Sequence, residues 1–339
     1  MISNRDIQYM MKELSSFEKL LHAKTIFITG GTGFIGKWLV ECLLHFNQAH
    51  NLKLHLILLT RDSASAKKHF ECVFPENKID YIEGDVRNFT YPEVKLDFII
   101  HGATDANATM NHERPTEMMD IIYNGTAHTL NLAKRDGAKT LFLSSGAIYG
   151  LQPDHIESFK EDYVGGPKID THLSAYGETK RAAEVLCKAY VHQFKLDISI
   201  ARCFAFVGPY LPLDTHFAIG NFIKNVLNNE TITVKSDGKP LRTYMYAADL
   251  AVWLIILLCK GKSGEAYNVG GSEVVSIKDL AYIVQSIAKR GNVEILNQNP
   301  PIYVNLNYVC NVEKFKREFN VQGMIPLKKA IERTIEFNQ

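Results

Sequence analysis

The chain has 339 residues, 46% of them apolar and 22% charged, with a formal net charge of +1. Those proportions belong to an ordinary globular protein with enough chain for a large core. The near-zero balance gives no broad attraction to nucleic acid or to an acidic membrane surface. In chain order, Ile7, Met10, Met11, Leu14, Phe17 and Leu21 recur at helical spacing and predict one amphipathic helix over 5–21. Arg5, Asp6, Lys12 and Glu13 interrupt it, which is unlike a secretory signal. From Thr25 strands are expected at 25–29, 54–60, 79–83, 97–101, 139–144 and 197–202, with helices near 34–46, 64–72, 116–136 and 174–194. Such alternation predicts an α/β fold, a doubly wound parallel sheet with helices on both faces and ligands at the carboxyl ends of the strands. After Gly208-Pro209 the pattern breaks into a loop, a helix and a short strand at 231–234. Helix returns at 247–258, strand at 266–269 and helix at 277–289. The longest apolar run, Ala251 to Cys259, is about half of the ~20 residues a bilayer span needs, and predicts a core helix.

Six cysteines, at 42, 72, 187, 203, 259 and 310, form no C-x-x-C pair, which fits a reducing cytoplasm rather than a disulfide framework or zinc knuckle. The twelve histidines show no H-E-x-x-H or comparable spacing, so no metal site is expected.

The chemistry concentrates in three places. Thr25 to Gly36 runs a strand into glycines at 30, 33 and 36 and opens a helix, a turn on which a pyrophosphate can sit against backbone N–H groups. Plain glycine corners have the same look. Ser145 closes the fifth strand, where a hydroxyl can bond an oxygen that gains negative charge; a serine that only ends the strand is the bland alternative. No G-x-S-x-G elbow accompanies it, so a serine hydrolase is not expected. Tyr176 and Lys180 stand four apart on one helix face. A phenol of ordinary pKa near ~10 becomes a useful proton shuttle at neutral pH once an ammonium lies beside it.

Together these features resemble the extended short-chain dehydrogenase/reductases, in particular the nucleotide-sugar epimerase/dehydratase group. The G-x-x-G-x-x-G spacing agrees, as do Gly84-Asp85-Val86, His101-Gly102-Ala103, Asn124-Gly125-Thr126, Tyr149-Gly150, and Arg242 through Tyr246 to Asp249, over roughly 23–320. The resemblance implies a Rossmann domain over 23–203, with 243–270 returning to it, behind an N-terminal helical extension at 1–22. A smaller interleaved nucleotide-sugar-binding lobe would comprise 204–242 and 271–339. It implies cofactor contacts at Gly30, Thr32, Gly33, Phe34, Ile35 and Lys37 and at the second-strand end, Thr60 and Arg61. Asp85 and Val86 would take the adenine, and Gly102, Ala103, Thr104, Tyr176 and Lys180 the nicotinamide side. Ser145, Tyr176 and Lys180 would be catalytic. Thr104, Ser145, Asn221 and Arg242 would meet a nucleotide-diphosphate sugar, Arg242 as a planar clamp on the diphosphate. A cytoplasmic homodimer built on the helices near 116–136 and 174–194 is also implied.

Which cofactor is used turns on Thr60-Arg61-Asp62. An acid at that strand end holds the ribose 2′-hydroxyl of NAD, whereas a basic residue accommodates the 2′-phosphate of NADP. Thr60 occupies the acid's place and Arg61 follows, with Lys37 and Ser63 nearby, which favours NADP(H) over NAD(H). A slip of one or two residues would make Asp62 the ribose acid. Two positions depart from the group: Ala205 stands where Asn is common, and Pro300-Pro301-Ile302-Tyr303 where a second phosphate arginine is sought. After Ser145, Gly146 and Ala147 replace the Asp-Glu pair of the sugar 4,6-dehydratases and the second-position Glu of the decarboxylases. Ketoreduction at C4 in deoxysugar or surface-polysaccharide biosynthesis is the favoured reading, with C4 epimerisation on tightly held NAD as the alternative. A non-catalytic cofactor sensor on the same fold is disfavoured by the joint retention of Ser145, Tyr176 and Lys180.

Overall fold

A computed structural model describes residues 1–71, 74, 79–104, 108–215, 217–296 and 306–339. Seven strands are β1 (Thr25–Thr29), β2 (His55–Thr60), β3 (Ile79–Glu83), β4 (Phe98–His101), β5 (Lys139–Ser145), β6 (Ile198–Cys203) and β7 (Ala266–Val269). They form one sheet in the order β7-β6-β5-β4-β1-β2-β3. β1 pairs in parallel with both β2 and β4, β2 with β3, and β4 with β5. The strand order reverses between β1 and β4, the switch point at which doubly wound sheets bind ligands. β1, β2 and β4 are almost wholly buried and read as continuous apolar runs, as strands covered on both faces must. The doubly wound fold expected from the sequence is the one observed.

Helix ends follow local chemistry. The helix Phe34–His50 outruns its expected end at 46 and stops at Asn51, whose φ of 48° is left-handed. Pro115 opens the helix Pro115–Asp136, where its missing N–H costs nothing, and Gly137 closes it. The helix Ser63–Phe70 ends short of the expected 72; Cys72 lies outside the described residues, as do Pro300–Tyr303. The single helix expected over 5–21 is instead two, Asn4–Leu14 and Glu18–Leu21, joined by a 3-10 turn at Ser15–Phe17. Serine hydroxyls compete for backbone groups, so the Ser15-Ser16 pair is a weak point for an α-helix. The break still leaves Phe17 and Leu21 buried, with the Lys260 ammonium 4.4 Å over the Phe17 ring. Among the described residues no helix is long and apolar enough to cross a membrane.

The chain groups into two units. The first comprises Met1–Ile148, Lys168–Arg202 and Ala251–Tyr267, the second Tyr149–Pro167, Cys203–Leu250 and Asn268–Gln339. This grouping differs from the expected boundaries by placing 149–167, 203, 243–250 and 268–270 in the second unit, and the N-terminal 1–22 in the first. In the first unit Phe27, Ile57, Ile99, Phe142, Ile198 and Leu130 belong to one apolar core. In the second, helices Ala218–Leu227, Ile277–Ala288 and Leu327–Asn338 pack with one another beside two-stranded pieces such as Leu241–Thr243 with Val274–Ser276.

Candidate active site

The turn after β1 needs its glycines for three different reasons. Gly30 has φ 77°, and a Cβ there would come within 2.7 Å of the Gly102 carbonyl at the end of β4. A Cβ on Gly36 would lie 2.1 Å from the Gly30 oxygen, so this glycine lets the helix seat on the turn. Gly33 has no neighbour closer than 3.5 Å. It precedes the helix 34–50 and supplies no side-chain cap, which leaves the first N–H groups available to an anion. Thr32 is exposed on this turn, Phe34, Ile35 and Lys37 are half-buried in the first helical turn, and Lys37 N–H donates to the Gly33 carbonyl.

Behind the turn a buried polar knot ties β1 to β4. Thr29 Oγ1 accepts from the N–H groups of Gly102 (3.1 Å) and Ala103 (3.0 Å) and lies 2.8 Å from His101 Nδ1. His101 Nε2 is 3.1 Å from Thr126 Oγ1. Burial, aided by the Lys180 charge, lowers the His101 pKa to about 3, so the imidazole is neutral and acts as a strut. The motif glycine before Thr126 has its own reason: a Cβ on Gly125 would strike Val86 at 2.7 Å.

Alternation along β5 separates its two terminal serines. Ser144 donates to Glu184 at 2.6 Å, inside a buried ion pair of Glu184 with Arg202 (2.8 Å). Ser145 accepts from the Ala147 N–H at 3.1 Å and stands at the carboxyl end of the strand. On the helix Ala175–Phe194, Lys180 is 3% exposed. Its ammonium donates to Thr104 Oγ1 (2.9 Å) and to the Leu143 carbonyl (2.8 Å), 5.0 Å over the Phe142 ring. Thr104 and Lys180, expected on the nicotinamide side, are thereby brought together. Tyr176, half-buried one turn before Lys180, has its N–H accepted by Asn111 Oδ1 at 3.1 Å.

At the edge of the sheet, Thr60 is buried and bonds through its hydroxyl to the backbone of Asp62. The Asp62 carboxylate caps the next helix by accepting the Ser65 N–H at 2.9 Å, and Arg61 is exposed. Glu83, opposite Thr60 in register, accepts from the Ser63 hydroxyl at 2.5 Å, and those Ser63 bonds hold its carboxyl below the usual range. Asp85 is clamped by Arg87, which donates to both carboxylate oxygens (2.8 and 2.7 Å) and also to Asp120 (2.6 Å). The Arg87 guanidinium keeps Asp85 ionised. Asp85, Arg87, Asn88, Asp120, Asn124, His128 and Asn131 line a cavity of about 560 Å³. Sequence reasoning passed over Arg87 and Glu83; Arg87, two residues past the Gly84-Asp85-Val86 motif, carried the better signal.

In the second unit Arg242 lies on a short strand, its Nη1 donating to the carbonyls of Leu241 and Leu306 beside Tyr244 and Tyr308. Burial lowers its pKa from a value so high that the guanidinium stays charged. Asp249 is buried and accepts the Ile325 N–H at 3.0 Å, so the last residue of that motif fastens the backbone. Tyr149 donates to Asn268 at 2.7 Å, and Asn221 is half-buried on the helix 218–227. No group of three or more metal-ligating side chains occurs among the described residues.

The sequence model described as the NAD dependent epimerase/dehydratase family matches residues 26–270, from the glycine turn through β7. The chain belongs to the NAD-dependent epimerase/dehydratase family. UDP-glucuronic acid decarboxylase 6 of Arabidopsis thaliana is 31% identical over 277 residues, 81% of this chain and 78% of that protein. UDP-glucuronic acid decarboxylase 1 of Danio rerio is 29% identical over 317 residues, 93% of this chain and 72% of that protein. The crystal structure of dTDP-glucose 4,6-dehydratase from Bacillus anthracis in complex with NAD superposes with a TM-score of 0.77 at 20% identity, covering 93% of this chain and 96% of that one. That structure shares the fold. In this epimerase/dehydratase-family enzyme the turn after Ser145 begins with Gly146 and Ala147, which carry no acid or base.

Proposed function

We propose that this enzyme reduces the C4 ketone of a nucleotide-linked sugar with NADPH, in the cytoplasm, as a step of deoxysugar or surface-polysaccharide assembly. The observation that carries the reading is the side-chain inventory around Ser145. Ser145, Tyr176 and Lys180 are retained, whereas Gly146 and Ala147 offer nothing for eliminating water or for a decarboxylase's glutamate. Hydride transfer with one proton shuttle needs no more than is present. The open Gly33 turn and the neutral, rigid knot at His101 suit a dinucleotide whose nicotinamide supplies the hydride. Ser145 orients the ketone oxygen, Tyr176 gives its proton to the oxygen as it becomes an alcohol, and Lys180 sets the phenol's readiness to do so. Arg242, charged, half-buried and bonded to carbonyls, is suited to a diphosphate, with Asn221 as a further substrate contact.

Arg61 carries the choice of NADPH, since one oxygen of Asp62 is already engaged in capping the next helix. Arg61→Ala should weaken NADPH binding at least tenfold and NADH binding little, because a charge-assisted contact is worth about 1.5–3 kcal/mol. Equal losses in titrations with both cofactors would reject the assignment. The carboxylates of Asp62 and Glu83 favour a second reading, a C4 epimerase holding NAD, because they would repel a 2′-phosphate and could accept from a ribose hydroxyl. NAD that stays bound through purification would support that reading; freely exchanging NADP(H) supports the first.

A two-fold homodimer is part of the proposal. Met119 (44% exposed) and Tyr123 (41%) on the helix 115–136 and Val185 (67%) on the helix 175–194 are apolar side chains in want of cover. Light scattering at micromolar concentration should give twice the chain mass, and a single-chain mass alone would refute it.

A further inference from the structure

Ser174 stands at the cap position of the helix that carries Tyr176 and Lys180, yet it does not cap it. Its backbone is already helical (φ −76°, ψ −8°) and its hydroxyl donates to the Lys168 carbonyl. An N-cap side chain ordinarily accepts the N–H of the second or third helical residue, and the second here is Tyr176. The acceptor comes from a different segment. Asn111, on the short helix Ala108–Glu113, takes the Tyr176 N–H on Oδ1 at 3.1 Å and donates from Nδ2 to the Leu173 carbonyl at 2.8 Å. One carboxamide therefore ties the first turn of the helix, at Tyr176, to the 3-10 turn His172–Ser174 that leads into it, at Leu173. The adjacent His112 ring sits edge-on to His172, centroids 5.6 Å apart, so consecutive side chains grip that turn. Asn111 follows closely in the chain on Thr104, whose hydroxyl accepts from Lys180.

We propose that Asn111 is a positioning residue for the proton shuttle, a helix cap supplied from outside the helix that holds the Tyr176 side chain against Lys180. The proposal rests on the reading of Tyr176 as proton donor. First turns fray when their N–H groups lack acceptors, and Tyr176 is in the part that would move. Displacing a reacting group by about 1 Å can cost ~10²-fold in rate. Only an amide fills both roles at this length: an aspartate keeps the acceptor and loses the donor, and a leucine of similar size loses both.

The test compares Asn111→Leu and Asn111→Asp with the wild type on a nucleotide sugar that the wild type turns over, alongside Tyr176→Phe. Asn111→Leu should lower kcat ~10- to 100-fold, with cofactor affinity and KM within about twofold. The alkaline limb of its pH–rate profile should move to higher pH, because a displaced phenol gains less from the charge on Lys180. Asn111→Asp should restore kcat to within about threefold of wild type, as Asn and Asp cap equally well. Should Asn111→Leu fail to fold, Asn111→Ser, too short to reach either partner, must give the same pattern. Unchanged kcat and pH profile, or a loss that follows the folded fraction with the profile unmoved, would overturn the proposal while Tyr176→Phe still fails. Full turnover by Tyr176→Phe would remove the shuttle itself, and the proposal with it.

Discussion

Tyr176→Phe should lower turnover of a nucleotide 4-ketosugar by about 10²–10⁴-fold and leave cofactor affinity nearly unchanged, since general acid catalysis contributes on that order. The substitution removes one oxygen and keeps the ring, which packs against the apolar core that includes Phe142 and Ile198. Folding and dinucleotide binding therefore persist, and the lost function is the proton. Without a donor the reduced oxygen would have to remain an alkoxide near a buried ammonium, two of whose hydrogens go to Thr104 and Leu143. The variant should also lose the alkaline limb of the pH–rate profile, because a phenol that must be protonated to act falls silent as pH rises through its pKa. Steady-state rates across pH, with cofactor titration by fluorescence, check both parts. Full activity in the variant would place the acid elsewhere.

The second large effect separates two glycines three residues apart. Gly36→Ala forces a Cβ to within 2.1 Å of the Gly30 oxygen and 2.6 Å of the Gly31 backbone, where no flexible side chain can yield. The helix must lift from the turn, and a loss of about 3 kcal/mol or more in unfolding free energy is expected. Gly33→Ala has its nearest neighbour at 3.5 Å and a backbone (φ −75°, ψ 177°) open to any residue. Its stability should stay within about 1 kcal/mol of wild type, while its new methyl group occupies the approach of the pyrophosphate and weakens dinucleotide binding at least tenfold. Urea unfolding and cofactor titration on both variants test the division. Loss of stability in both, or of binding in neither, would show that the turn is only a structural corner.

The central sheet was legible because β1, β2 and β4 are almost wholly buried and stand out as apolar runs between polar turns; β1, the half-exposed edge strand β3 and β7 fall on their expected bounds. The interruption at Ser15–Phe17 was hidden because the apolar spacing continues through it, and the 3-10 turn keeps Phe17 and Leu21 inward. The glycines marked the strand-to-helix turn, although their separate duties depend on Gly102 and Gly30, contacts that no local pattern encodes. Of the two serines of β5 the sequence singled out Ser145; what occupies Ser144, the Glu184–Arg202 pair, lies far along the chain and was not legible. The Arg87 clamp on Asp85 and Asp120 and the Asn111 cap on Tyr176 are likewise tertiary pairings, without periodicity or motif to announce them. Composition could not decide the cofactor either, because Arg61 stands among Asp62 and Glu83, charges that argue in opposite directions.

Isotope transfer tests the account most directly. The purified enzyme is given a nucleotide 4-ketosugar and NADPH carrying deuterium at the transferable nicotinamide position, and the sugar is followed by mass spectrometry and proton NMR. The account predicts deuterium at C4 of the sugar in step with NADP⁺ formed, over many turnovers. Inverted C4 stereochemistry in a nucleotide sugar with no deuterium gained and no net NADP⁺ would contradict it, and so would an unchanged substrate and cofactor.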